Sequence, residues 1–364
     1  MKITSDFPGG NIKLLSEQTE NGKTVVTLEQ DLRDTDIWWF YWCFRIDDPP
    51  VGEVEFRFVN KGVVCPNGPC TSVDGNNWCF DKSSRVDECC FRFNFTGEKS
   101  RYFSFSIPYV IKDFESFYET IKNDKTLKRS VFTVSEKGRE LPLLTMGNGS
   151  RDIFFTARHH CCESTASYVL DSVVRSILVS YRDMLDRFTF HIIPFTDIDG
   201  AEQGDQGKNR IPHDHNRDYT DKPIYNVTRA IYEYTDGRDI AAFIDFHSPW
   251  CWGGANDEPH IHMGPEAEPT PMLQYELAEH IKELTAKDAR DVIRFNGVIT
   301  RYGDKANLVG TESSKNFYKL KRNANIAFTI ETPYSGNLAY GYTKGQLYIF
   351  GEHIAQALYE TLMK

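Results

Sequence analysis

Short apolar runs with period-two alternation dominate the first hundred residues. Segments 24–28, 38–46, 53–59, 91–95 and 102–107 are rich in Val, Ile, Phe, Tyr and Trp, residue types that suit a pleated, half-buried surface. Turns rich in Gly and Asn separate them, as in Pro66-Asn67-Gly68 and Asp74-Gly75-Asn76-Asn77. No long helical periodicity intervenes, so the pattern predicts an N-terminal antiparallel β-sandwich over residues 1–108.

From Tyr109 onward the pattern changes. Helical spacing of apolar residues recurs in 113–122, 164–185, 225–234, 271–284 and 347–362. Between these lie near-continuous apolar runs at 141–145, 153–157, 188–193, 240–246 and 326–330. Near-continuous hydrophobic strands alternating with helices predict an α/β sheet covered on both faces, here over residues 109–364. In open sheets of this kind, ligands bind at the C-terminal ends of the strands. Several polar residues of this chain stand at those ends.

Composition narrows the function. A net charge of −10 argues against a nucleic-acid partner, because phosphates call for a basic surface. No window reaches 18 uninterrupted apolar residues, so no membrane span is expected. The first residues, Met-Lys-Ile-Thr-Ser-Asp-Phe-Pro, have no apolar signal region. Nine cysteines is an odd count, and reduced thiols in a cytoplasmic protein are the expectation.

The strand-end residues form a chemically coherent set. His160 and Glu163 follow the run 153–157, His247 follows 240–246, and Glu331 follows 326–330. Two imidazoles and a carboxylate suffice for a three-ligand zinc site with an open position, and Glu331 remains as a base. Asn216 and Arg217 lie in a donor-rich stretch from Lys208 to Arg217, where a guanidinium beside an amide suits a carboxylate. Each piece also has an ordinary reading. H-x-x-E recurs at His280 and Glu283 on a predicted helix face, His247 could cap a strand, and an isolated Glu is commonly exposed. His159, Cys161 and Cys162 are tempting extra ligands, but the two cysteines are read as packing residues, and His213 and His215 as structural. Asp245 is expected to point to the face opposite His247.

Taken together, the motifs resemble the M14 zinc carboxypeptidases, in particular the cytosolic carboxypeptidase branch. The order is H-x-x-E, then Asp197-Ile198-Asp199-Gly200, Asn216-Arg217, Asp-x-His and Thr-x-Glu, and it runs through essentially the whole chain. Phe103-Ser104-Phe105-Ser106-Ile107-Pro108-Tyr109 resembles the linker that joins the β-sandwich to the catalytic domain in that branch. The resemblance implies an α/β/α domain with a mixed central sheet, a single Zn2+ per chain on His160, Glu163 and His247, and Glu331 as general base. It further implies that Asn216 and Arg217 hold the terminal carboxylate of a peptide or protein substrate. Arg210 is the nearest match to the family's oxyanion-stabilising arginine, with Lys208 competing. Lys315 stands where glutamate-cleaving members carry a basic residue, so a preference for C-terminal Glu or Asp is expected. Tyr302 and Tyr318 both compete for the family's mobile tyrosine. An N-acyl amino acid deacylase of the same fold and a zinc-free binding module are the alternatives.

Overall fold

The computed structural model describes residues 1–265, 271–304, 307–310, 312–336 and 341–364. Two sheets form first. One has five strands in the order Lys2–Thr4, Cys43–Asp47, Ser100–Ser104, Cys70–Ser72 and Cys79–Phe80. The other orders Lys13–Glu20, Lys23–Glu29, Gly52–Phe58 and Cys90–Phe95. Pairing is antiparallel except between Lys23–Glu29 and Gly52–Phe58, which run parallel. Aromatic rings fill the space between the sheets: Phe44 meets Phe56 and Phe103, and Phe91 meets Phe56 and Phe103. The expected strand 38–46 begins only at Cys43. Residues 38–42 form an irregular segment whose large side chains pack in different directions, and Trp42 is buried with its indole N–H donating to Val63 O at 2.7 Å.

The remainder builds one eight-stranded mixed sheet. Its order is Leu127–Val134, Glu140–Met146, Phe188–Ile193, Arg151–Ala157, Ile240–His247, Ile326–Glu331, His260–Met263 and Ile299–Thr300. The four central strands are parallel, and antiparallel neighbours flank them. Side chains alternate as a pleat requires. Phe154, His191 and Phe243 share the face covered by Tyr234 and Tyr318, whereas Phe155, Phe190 and Phe246 meet on the other. Helix Ser164–Ser180 packs on the central strands and against the C-terminal helix Lys344–Leu362.

Several elements lack the sequence signal that would announce them, and three show why. Strands Lys13–Glu20 and Leu127–Val134 are largely exposed edge strands, so little apolar alternation marks them. Helix Ser314–Leu320 spans only seven residues, too short to show periodicity, yet nearly all of it is buried. No helix among the described residues is long and apolar enough to cross a membrane.

Candidate active site

Parallel pairing puts the ends of three central strands side by side. His247 is in register with Glu331, and Arg151–Ala157 lies against the other side of Ile240–His247. The chain leaves Ala157 through Arg158, whose φ of 62° is unusual for a residue with a side chain. Such a conformation costs of order 1–3 kcal/mol and persists only where surroundings hold it. Here the Arg158 guanidinium donates to Cys161 O at 2.8 Å and Tyr109 O at 2.6 Å. That clamp turns His160 and Glu163 into the cleft before helix Ser164–Ser180 begins.

His160, Glu163 and His247 meet there, all buried. His160 Nδ1 lies 2.7 Å from Glu163 Oε1, and His247 Nδ1 lies 2.7 Å from Glu163 Oε2. Each imidazole keeps its Nε2 for a carboxylate: Asp214 at 3.3 Å from His160 and Asp245 at 2.8 Å from His247. Burial alone would raise the pKa of Glu163, but His160 and His247 outweigh it and lower it to about 2. Two imidazole nitrogens and an ionised carboxylate converge on one point, with aspartates fixing the tautomers from behind, and this donor set suits zinc.

The neighbouring group His159, Asp245 and His247 also brings three ligand-type atoms together. Its atoms are already matched donor to acceptor, however. His159 uses Nδ1 on Asp245 Oδ1 at 2.9 Å and Nε2 on the Tyr219 hydroxyl at 2.8 Å. Asp245 Oδ1 also accepts from Thr156 Oγ1 at 2.7 Å. This group is a brace behind the first. The expectation that Asp245 faces away from His247 is therefore corrected: residues two apart on a strand share a face. Asp245 Oδ2 also accepts from Ser314 Oγ, and Ser314 N donates to Asn216 Oδ1 at 3.1 Å. One buried carboxylate thus ties His247 to the Asn216 side of the cleft.

Glu331 faces the same cleft and is buried. Its Oε1 lies 3.6 Å from His262 Nε2, while Oε2 is buried without a hydrogen-bond partner. Burial raises its pKa. A buried oxygen of this kind is costly unless a ligand or substrate completes it. His262 is held neutral, its pKa lowered by burial to about 3.

The cleft has a volume of about 260 Å³ and is lined by Lys208, Asn216, Arg217 and Lys315 as well as His160, His247 and Glu331. Lys208 Nζ stands 3.4 Å from His160 Nε2. The backbone at Lys208 is pinned by residues from the first sheets' side: Asp34 accepts from Gln206 N and Gly207 N, and Thr35 Oγ1 donates to Lys208 O at 2.7 Å. Gly207 has φ +82°, and a Cβ there would lie 2.4 Å from Cys161 N. His213 braces Arg217 through a 2.7 Å contact to its carbonyl, and His215 stacks on Tyr225 with ring centroids 3.7 Å apart. Lys315 sits in the first turn of helix Ser314–Leu320 at 7% exposure. Burial and the neighbouring Arg217 lower its pKa to about 8.

Arg210 is not among these residues, and its expected role at the oxyanion is corrected. Its guanidinium bridges Asp197 at 2.6 Å and Asp205 at 3.1 Å, with Asp34 at 3.6 Å, and faces a separate hollow. Burial disfavours its charge, but Asp197 and its fellow carboxylates more than offset this and raise the pKa. Neither candidate for a mobile tyrosine lines the cleft. Tyr318 is fully buried and stacks on Phe243, and the Tyr302 hydroxyl accepts from Gly310 N at 3.1 Å beside an adjoining hollow. Asp214, Asp245, His262 and Ser314 join the site without having been singled out for it. Of these, Asp245 had a usable signal, its two-residue offset from His247.

The sequence profile of the zinc carboxypeptidase family, peptidase M14, matches residues 115–357. An uncharacterized protein of Zymomonas mobilis subsp. mobilis is 21% identical over 350 residues, covering 92% of this chain and 88% of that one. Cytosolic carboxypeptidase 6 of Caenorhabditis elegans is 24% identical over 245 residues, covering 60% of this chain and 52% of that protein, so the match spans about half of this relative. The crystal structure of a metallo-carboxypeptidase from Burkholderia cenocepacia shares the fold, with a TM-score of 0.79 at 17% identity over 100% of this chain and 98% of that one. The chain belongs to the zinc carboxypeptidase family, metal-dependent hydrolases that act on C-terminal peptide bonds.

Proposed function

We propose that this protein removes the C-terminal amino acid from peptides or proteins and prefers an acidic one. The observation that carries the reading is one cleft that holds a three-donor metal group, a carboxylate oxygen without a partner, and the cations Lys208, Arg217 and Lys315. A substrate ending in Glu or Asp brings two carboxylates to that cleft, and two of the three cations would face them. The reading also takes residues 1–108 and 109–364 as two domains of a cytoplasmic protein.

His160, Glu163 and His247 would hold the zinc, which when bound supplies Lewis-acid activation at neutral pH. Arg217 and the amide of Asn216 fix the terminal carboxylate and so set which bond is cut. Glu331 takes a proton from the attacking water and returns it to the leaving amine nitrogen. Lys208 donates to the oxygen on which negative charge develops. Lys315 faces the substrate's side chain. An N-acyl amino acid deacylase would use the same grip, but the cleft continues past Glu331 into a further hollow with room for a peptide.

Purified protein is expected to carry about one zinc per chain, as a three-ligand mononuclear site requires. His247→Ala is expected to lose the metal, which metal analysis of both proteins checks. A wild type that stays metal-free in the presence of zinc would contradict the assignment.

Specificity is tested with peptides ending in Glu, Leu and Lys. The Glu:Leu ratio of kcat/KM should be highest where Lys315 is charged and should decline as pH rises through about 8. The sign follows from charge: deprotonation removes the ammonium that pairs with the substrate. Lys315→Ala should flatten both the preference and its pH dependence. Equal use of Leu and Glu by the wild type at pH 7 would show that selectivity lies elsewhere.

A further inference from the structure

We propose that the hollow beyond Glu331 is a subsite for the residue that precedes the scissile bond, and that it selects an uncharged, preferably aromatic side chain. The inference rests on the peptidase reading above and adds the identity of the penultimate residue. The hollow has a volume of about 300 Å³ and shares His160, Lys208, His262 and Glu331 with the cleft. Those four residues form the waist where the bond is cut. Asn216, Arg217 and Lys315 lie only on the cleft side, so the C-terminal residue occupies that side. The rest of the peptide must then leave through the hollow.

The two sides differ in chemistry. Trp39, Pro249, Trp250 and Val298 give the hollow apolar walls, and Ser248, Asn256 and Thr300 add neutral hydrogen-bonding groups. Lys208 at the waist is the one Lys or Arg in its described lining, and the carboxylates there are Glu163 and Glu331. An anionic penultimate side chain would be desolvated beside Glu331, while Lys208, the one Lys or Arg of the lining, is engaged at the developing oxyanion. An aromatic one would meet a preformed wall. The Trp250 ring lies edge-on to Trp39 with centroids 4.7 Å apart and at 5.2 Å from Trp38, so it is braced although 40% exposed. Ring–ring contacts of this type favour binding by roughly three- to tenfold beyond simple burial. Trp39 belongs to the segment that precedes the eight-stranded sheet, which gives the N-terminal part of the chain a share in choosing the substrate. A run of consecutive glutamates should accordingly be a poor substrate despite its acidic end.

The test uses the full-length zinc-loaded enzyme and N-terminally blocked peptides ending in Phe-Glu, Ala-Glu, Glu-Glu and Phe-Leu. Release of the terminal amino acid is expected in the order Phe-Glu, Ala-Glu, Glu-Glu, with Phe-Glu at least about three- to tenfold ahead of Ala-Glu in kcat/KM. Trp39→Ala and Trp250→Ala should bring the Phe-Glu:Ala-Glu ratio toward one while leaving the Phe-Glu:Phe-Leu ratio unchanged. Trp250 is partly exposed, so its variant decides the matter even where Trp39→Ala fails to fold. A Phe-Glu:Ala-Glu ratio that Trp250→Ala leaves unchanged, or Glu-Glu cleaved as fast as Phe-Glu, overturns the subsite and leaves the peptidase reading standing. No release from any peptide overturns both.

Discussion

Glu331→Gln is expected to retain zinc and to lose roughly 10²–10⁴-fold in kcat. The substitution keeps the shape of the side chain and removes only its capacity to take a proton. Glu331 is not part of the three-donor group, and its Oε2 has no partner in the protein, so the amide should leave the metal site in place. Little reorganisation is expected because the strand that carries Glu331 is paired on both sides, to His247 and to His260. Metal analysis with steady-state kinetics on a Glu-terminated peptide checks both halves. Undiminished turnover would mean that another group accepts the proton, and His262, 3.6 Å from Glu331, is one neighbour to examine.

The second large effect separates Lys208 from Arg210. Lys208→Met is expected to lower kcat by about 10²–10³-fold, the usual consequence of removing one donor from a developing oxyanion. Stability should change little, because Lys208 Nζ has one partner in hydrogen-bond range, His160 at 3.4 Å, and its loop is pinned through backbone atoms. Arg210→Met should do the opposite. It would leave Asp34, Asp197 and Asp205 buried without their shared counter-charge, a loss of about 3–5 kcal/mol for broken buried pairs. Thermal denaturation and kcat measured on both variants give the comparison. A larger loss of kcat per folded molecule in Arg210→Met than in Lys208→Met would return the oxyanion role to Arg210.

The difference between these two residues shows where sequence reasoning stops. Both lie in one loop, two positions apart, and spacing alone could not say which side chain turns toward the cleft. That choice depends on Asp34 and Thr35, more than 170 residues earlier, which pin the loop from outside. The strand ends were legible for the opposite reason. Runs 153–157, 240–246 and 326–330 are almost wholly apolar, so the polar residues that follow each stand at the sheet's edge, and parallel pairing brings His160, His247 and Glu331 together. The helix that carries Lys315 is not legible in the sequence because seven residues are too few to show a period, and its burial comes from long-range packing. Strand His260–Met263 gave no warning of His262, since its partner in the sheet lies some seventy residues further on. Residues 38–42 read as a strand on composition, but their rings serve the sandwich core and the hollow beside Glu331 in turn.

The most direct measurement is the identity of the product. Zinc-loaded and chelator-stripped protein would be incubated with an N-terminally blocked peptide ending in Phe-Glu, and the free amino acids determined. The account predicts free glutamate and a peptide shortened by one residue, none of either from the stripped protein, and recovery when zinc is restored. Release of the blocking acyl group instead, or glutamate released equally without zinc, would contradict it.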